Sequence, residues 1–288
     1  MSSGTGLPVP PPRSYYPGMA TESGPPTSDV PRRVTLPLAD VEVDVITEEA
    51  AVAHIVAASL EGEGGLVVTP NVDHLLKITA GSWLGAVYAE ADLVVADGMP
   101  LVWASRLLGD PLPERVTGAD MLISLTEAAA ENGLSIFLLG GTPGAAEEAA
   151  ERLVNRWPSL KVAGVSCPAR GFERKRGGVE KICAEVASAA PDIVFTAMGA
   201  PRQEYLNVAL RHRYPSAWYL GVGGALDMAA GNVRRAPEWA RQLGIEWLYR
   251  LLQEPGRMAR RYLVDDTPFA VRLLAESARR GKTRGSSS

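Results

Sequence analysis

Six compact apolar runs recur along the chain with room for a helix between them: GLVVTP from Gly65, ADLVVAD from Ala91, LSIFLLGG from Leu134, LKVAGVS from Leu160, PDIVFTAMG from Pro191 and SAWYLGVGG from Ser216. They are apolar nearly throughout rather than at alternate positions, the pattern of strands buried on both faces of a parallel sheet. Ahead of them, VTLPLADVEVDVI reads as two short extended segments with a turn near Ala39 and Asp40. EEAAVAHIVAASLEGE then takes up a helical period. After the last run, Leu243, Trp247, Leu248, Leu251 and Leu252 recur at helical spacing until Pro255, with no further strand signal.

These elements predict an α/β fold: a Rossmann-like, mostly parallel sheet with helices on both faces over residues 34–234, plus a C-terminal helical appendage over 235–280. Residues 1–33 are rich in Pro, Ser and Gly and lack a continuous apolar stretch, which predicts a disordered tail that is neither a secretory signal nor a membrane anchor. Residues 281–288 predict a second short tail.

Composition adds one asymmetry. The 288 residues are 46% hydrophobic and 22% charged, ordinary for a soluble globular protein, and the net charge is −4. From Arg234 to Ser288, however, 12 Arg and Lys face 6 Asp and Glu, so a segment of net +6 follows a body of net −10. A basic end on an acidic body suggests a local anionic partner, phosphate-rich lipid or nucleic acid; a solvated helical face is the plain alternative. Cys167 and Cys183 have neither metal-ligand spacing nor the arithmetic of a disulfide framework, which fits a reducing cytoplasm.

In open parallel sheets ligands bind beyond the carboxyl ends of the strands, so the loops after the apolar runs are the places to look. TPNVDHLLK offers Thr69 and Asn71, either of which can cap the next helix or hydrogen-bond a sugar; His74 reads as a packed residue. Asp97 ends its strand just before a helix, as a cap or as a carboxylate able to accept a proton from an attacking hydroxyl. Asp92 lies at the opposite end of that strand, away from such a site. PERVTGAD brings Arg115, a candidate phosphate clamp or a structural Arg, to a helix start capped by Thr117 or Asp120. In LLGGTPG, Gly140 and Gly141 would let a ligand approach the backbone, with Thr142 as cap and Pro143 at the first helical position. GAPRQE makes another strand-to-helix corner, with Pro201 opening the helix and Arg202, Gln203 and Glu204 projecting from its first turn towards an anion. HExxH, paired CxxC, GxSxG, Walker and apolar-flanked DxD patterns are all missing from the sequence, so nothing in it points to a metal.

Taken in order, TPN (Thr69 to Asn71), ADG (Ala96 to Gly98), RVTGAD (Arg115 to Asp120), FLLGG (Phe137 to Gly141), GAPRQE (Gly199 to Glu204) and GVGGALDMAAGNVRRAP (Gly221 to Pro237), followed by EWLYRLLQEPGRMARRYL, resemble the WecG/TagA/CpsF glycosyltransferases, also called glycosyltransferase family 26. The match runs over roughly Val34 to Leu263. The resemblance implies transfer of a sugar from a UDP-sugar to a polyprenyl-diphosphate-linked saccharide, for cell-wall polymer or exopolysaccharide synthesis, with inversion and with neither metal nor cofactor. It implies Asp97 as general base with Thr69 beside it and Asn71 orienting the sugar. Arg115, Thr117, Gly140, Gly141, Gly199, Gln203, Glu204 and Gly223 then line the nucleotide-sugar cleft. Arg250, Arg257 and Arg260 of the appendage are placed to meet the diphosphate.

Further implications are a cytoplasmic protein held peripherally on the inner face of the bacterial plasma membrane, an anionic membrane surface as partner and no nucleic acid. Self-association through exposed Trp and Leu of the appendage is a further expectation. N-acetylmannosamine is the first-choice donor sugar among the family's hexoses and uronic acids. Two other readings stay open at this point: a different nucleotide-dependent Rossmann-like enzyme, although no dinucleotide fingerprint is evident, and a non-catalytic module recruited to membranes by its basic helices.

Overall fold

The computed structural model describes residues 32–233, 236–237, 246–253, 256 and 259–285. An antiparallel hairpin, β1 (Arg33–Leu36) and β2 (Val41–Asp44), comes first, with Leu38 and Asp40 in the left-handed region at its turn. A six-stranded sheet follows, made of β3 (Gly65–Val68), β4 (Leu93–Val94), β5 (Ser135–Gly140), β6 (Lys161–Ser166), β7 (Ile193–Ala197) and β8 (Trp218–Gly221). All of its pairings are parallel, and its order is β4-β3-β8-β7-β5-β6. Each predicted apolar run is one of these strands.

The faces divide by strand parity. Val67, Leu93, Ile136, Leu138, Ile193, Phe195, Trp218 and Leu220 join one core with α1 (Glu48–Leu60), α5 (Gly118–Asn132), α6 (Ala145–Arg156) and α9 (Ala225–Ala229). Their alternates, Leu66, Val68, Phe137, Leu139, Val194 and Tyr219, are equally buried on the opposite face. There α2 (Val72–Thr79), α3 (Leu84–Ala89), α7 (Gly178–Ala189) and α8 (Arg202–Arg213) pack on one another and on the sheet. A side chain of this size buried at each position contributes roughly 1.5–3 kcal/mol, so both faces are needed to hold the sheet.

This wiring produces an opening. Along β3, β8, β7 and β5, the chain leaves successive strand ends for α2, α9, α8 and α6, which lie on alternating faces. Neighbouring loops therefore diverge, and the crevice left between them lies over the carboxyl ends of the strands.

The hairpin protects one sheet edge. Asp44, whose side chain is wholly buried, accepts a 2.7 Å hydrogen bond from the Val94 N–H and another of 2.7 Å from Arg33 Nε. It thus ties β2 to β4.

The described part of the C-terminal region consists of α10 (Glu246–Gln253), a π-helical segment (Arg260–Asp266) and α11 (Thr267–Gly285). α11 packs along α4 (Met99–Leu107) with Phe269, Leu273 and Ser277 buried, and the π-helical segment packs on α2. Gly281 approaches the backbone of Leu107 so closely that a Cβ there would lie 2.0 Å from its carbonyl oxygen. α11 runs to Gly285 and so takes in the first five residues of the tail predicted over 281–288; its last three residues, and the tail predicted over 1–33 apart from Arg32 and Arg33, lie outside the described residues.

Candidate active site

The corners after β3 and β4 are joined backbone to backbone. The Asp97 N–H donates to the Pro70 carbonyl at 2.8 Å, and the Val116 N–H donates to Ala96 O at 2.9 Å. Thr69 to Asn71, Ala96 to Gly98 and Arg115 to Thr117 are therefore one continuous rim. Asn71, not Thr69, caps α2: its side-chain oxygen accepts from the His74 N–H at 3.2 Å, while Thr69 is buried. Asp97 is half-buried at this rim and leaves the cap position to Gly98, whose φ of +154° lies in the glycine region. Beneath the rim His74 is buried, with Nδ1 2.7 Å from the Tyr88 hydroxyl. Burial, reinforced by the carboxyls of Glu204, Asp97 and Asp73, raises the Tyr88 pKa well above its ordinary value. Asp97 and Glu204, 107 positions apart in the chain, thus share one electrostatic neighbourhood.

At the corners after β7 and β8 the structure departs from the expectation. Gln203 and Glu204 do not project from the first turn of α8; they are 4% and 3% exposed and point beneath the loops. Gln203 Oε1 accepts from the Gly199 N–H at 3.1 Å and from the Gly223 N–H at 3.0 Å. Its Nε2 donates to Glu204 Oε1 at 2.9 Å. Sequence polarity suggested exposure because the partners, two loop amides from separate strands, are contributed only by the tertiary fold. Gly221 provides the room, since a Cβ there would lie 2.5 Å from Gln203 Nε2. Gly199 (φ +74°) and Gly223 (φ +56°) are left-handed, and a Cβ on either would meet nothing within 4 Å. Glycine is required here by the backbone, and the space beside it is open. Burial pushes the Glu204 pKa up to about 7 against the bond from Gln203.

The corner after β5 is also corrected. A Cβ on Gly140 (φ +102°) would stand 2.5 Å from Ala197 O, and one on Gly141 (φ +82°) 3.2 Å from the Ala145 Cβ. The close approach predicted for a ligand is made by the protein itself. Thr142 is not the helix cap and Pro143 is not its first residue: α6 starts at Ala145 behind Gly144, and the Thr142 hydroxyl bonds Asp227 of α9.

Thr117 does cap α5, accepting from the Asp120 N–H at 3.0 Å. Gly118 lets that helix end meet β8, where a Cβ would lie 2.9 Å from Gly221 O. Arg115 is largely buried and held between two carboxylates, Glu246 at 3.3 Å and Asp120 at 3.8 Å. Glu246 begins α10, so this pair joins the rim to the C-terminal region, a link no local sequence signal reveals. Arg260 is exposed in the π-helical segment. Arg257 and the side chain of Arg250 lie outside the described residues.

Residues 36–283 match the model of the glycosyl transferase WecG/TagA/CpsF family. An N-acetylglucosaminyldiphosphoundecaprenol N-acetyl-beta-D-mannosaminyltransferase of Bacillus spizizenii (strain ATCC 23059 / NRRL B-14472 / W23) is 32% identical over 222 residues, 76% of this chain and 84% of that protein. One of the same name from Bacillus subtilis (strain 168) is 34% identical over 190 residues, 66% of this chain and 71% of that protein. With its six-stranded parallel sheet, its crevice at the strand ends and this match over most of its length, the chain is a glycosyltransferase and belongs to the WecG/TagA/CpsF family.

Proposed function

We propose that the protein transfers N-acetylmannosamine from UDP-N-acetylmannosamine to N-acetylglucosaminyl-diphospho-undecaprenol, with Asp97 as general base. The sugar and the acceptor come from the names of the two Bacillus relatives; the observation that carries the site is the joining of the Asp97 corner to the corners holding Asn71 and Thr117. In this reading the acceptor hydroxyl gives its proton to Asp97 as its oxygen bonds the anomeric carbon. The bond from that carbon to the β-phosphate oxygen breaks on the opposite face, with its electron pair leaving on UDP, so the configuration inverts. Thr69 and Asn71 orient the sugar, and Gly199 and Gly223 floor the cleft. Gln203 acts by holding those loops. Arg115, fixed by Glu246 and Asp120, positions the appendage against the rim.

The departing diphosphate gathers negative charge, and fixed guanidinium groups stabilise it without a metal. Arg250, Arg257 and Arg260 have this role in the proposal, delivered by an appendage that docks on the inner face of the membrane. Among the described residues, five of the nine large exposed apolar side chains belong to that region: Leu248, Leu252, Leu263, Val264 and Val271. With the excess of Arg and Lys they suit an anionic bilayer surface. Among the described residues no helix is long and apolar enough to cross a membrane.

The test is transfer of radiolabelled sugar to a short-chain lipid acceptor, by the native chain and by Asp97→Asn. Loss of transfer in the variant with an unchanged melting temperature is expected; transfer near the native rate would overturn the role of Asp97. Failure of the native chain with UDP-N-acetylmannosamine but success with another UDP-hexose would correct the donor alone.

A further inference from the structure

Glu204 lies beneath the crevice, and the structure shows what it holds. Its Oε1 accepts from Gln203 Nε2, and Oε2 is buried without a hydrogen-bond partner among the described residues. An amide side chain has two senses related by a flip of its oxygen and nitrogen. In the observed sense Gln203 presents its oxygen to two N–H donors, Gly199 and Gly223; in the other its NH₂ would face both donors and both bonds would be lost. The two loop amides thus hold the oxygen end, and an acceptor on the far side holds the nitrogen end, because only Nε2 can donate to it. A carboxylate is an acceptor only and enforces this sense; a neutral carboxyl accepts Nε2 through its carbonyl oxygen while the Gly199 and Gly223 N–H groups keep the amide oxygen on their side.

We propose that Glu204 is a positioning residue: it fixes the sense of the Gln203 amide and through it the shape of the two glycine loops beneath the donor sugar. The proposal rests on the reading that these loops floor the donor cleft. The groups around Glu204 are compatible with a brace. Lys77 and Asp73 from α2 act on it electrostatically, Tyr88 from α3 shares its field with Asp97 after β4, and its side chain accepts from Gln203 Nε2. Glu204 makes no contact with substrate in this scheme, which distinguishes it from Asp97.

Two variants separate the brace from mere packing. Glu204→Met keeps the volume and removes the acceptor, whereas Glu204→Gln keeps an oxygen for Gln203 Nε2. The measurements are hydrogen–deuterium exchange of peptides containing Gly199 and Gly223 in the 288-residue chain, and kcat and KM for UDP-N-acetylmannosamine. Glu204→Met should speed exchange at both loops together and raise KM about 10- to 100-fold with a smaller change in kcat, the size expected for losing a buried hydrogen-bond arrangement. Glu204→Gln should restore both. Native exchange at both loops in Glu204→Met would overturn the brace. Faster exchange at both loops with a native KM would leave the brace standing and overturn the placing of the donor sugar over them.

Discussion

The corner after β5 and the corners after β7 and β8 are made of the same ingredients, a buried strand ending in left-handed glycine, yet they use glycine for opposite ends. At Gly140 and Gly141 the missing side chain lets protein meet protein, the β7 carbonyl and α6 respectively. At Gly199 and Gly223 the missing side chain faces nothing, while the backbone N–H groups are turned inward to Gln203. A glycine-rich turn therefore marks a ligand site only when the protein has not filled the space itself. The Gly223 corner follows β8, the neighbour of β3, whose following Pro70 accepts from the Asp97 N–H; the filled corner anchors α6 and, through Thr142, α9.

At the open side a substitution should remove chemistry and leave stability intact. Asp97→Asn should lower kcat by about 10²- to 10⁴-fold in the transfer assay, the range for a lost general base, without a measurable fall in melting temperature. A comparable loss of stability would place Asp97 among the structural residues.

Gly140→Ala is the reciprocal change. It forces a Cβ to 2.5 Å from a backbone oxygen at a φ of +102°, and should cost about 3 kcal/mol in denaturant unfolding. An innocuous Gly140→Ala would show that the β5 corner is not filled as described.

The buried carboxyl gives a prediction in pH. The folded state raises the Glu204 pKa from 4.5 to about 7, so its proton stays on in the fold and comes off in the unfolded chain between these values. Its contribution to stability is complete below about pH 4.5 and is lost as pH rises through about 7. Relative to Glu204→Gln, which does not titrate, the native protein should lose on the order of 2–3 kcal/mol between pH 5 and 8. Parallel stability curves for the two proteins would contradict the burial of that group.

Gly223→Ala should have the smallest effect on the fold, about 1 kcal/mol, because only the left-handed backbone resists it. Its larger consequence should be on KM for the donor, read from steady-state transfer.

The architecture was legible because strands buried on both faces read as unbroken apolar runs; GLVV, SIFLLG and IVFTA each became the strand expected. The corners were legible for the same reason. Their inner wiring was not. Gln203 and Glu204 are polar residues in a first helical turn, where exposure is the usual state, and only the meeting of the β7 and β8 loops creates their partners. Likewise Thr142 looked like a cap until Asp227 arrived from 85 positions away. Arg115 illustrates the same limit, since its partner Glu246 lies 131 positions on. Asn71 and Thr117 cap as local chemistry predicts, because a cap needs only its own next turn.

In the proposed mechanism the donor sugar lies over the open glycine corners and beside Asp97. Hydrogen–deuterium exchange of the native chain with and without saturating UDP-N-acetylmannosamine tests it most directly. Slower exchange in peptides covering 96–98, 199–204 and 221–224, with 140–142 unchanged, is the predicted result. Protection confined to 140–142, with the other three segments unaltered, would contradict it.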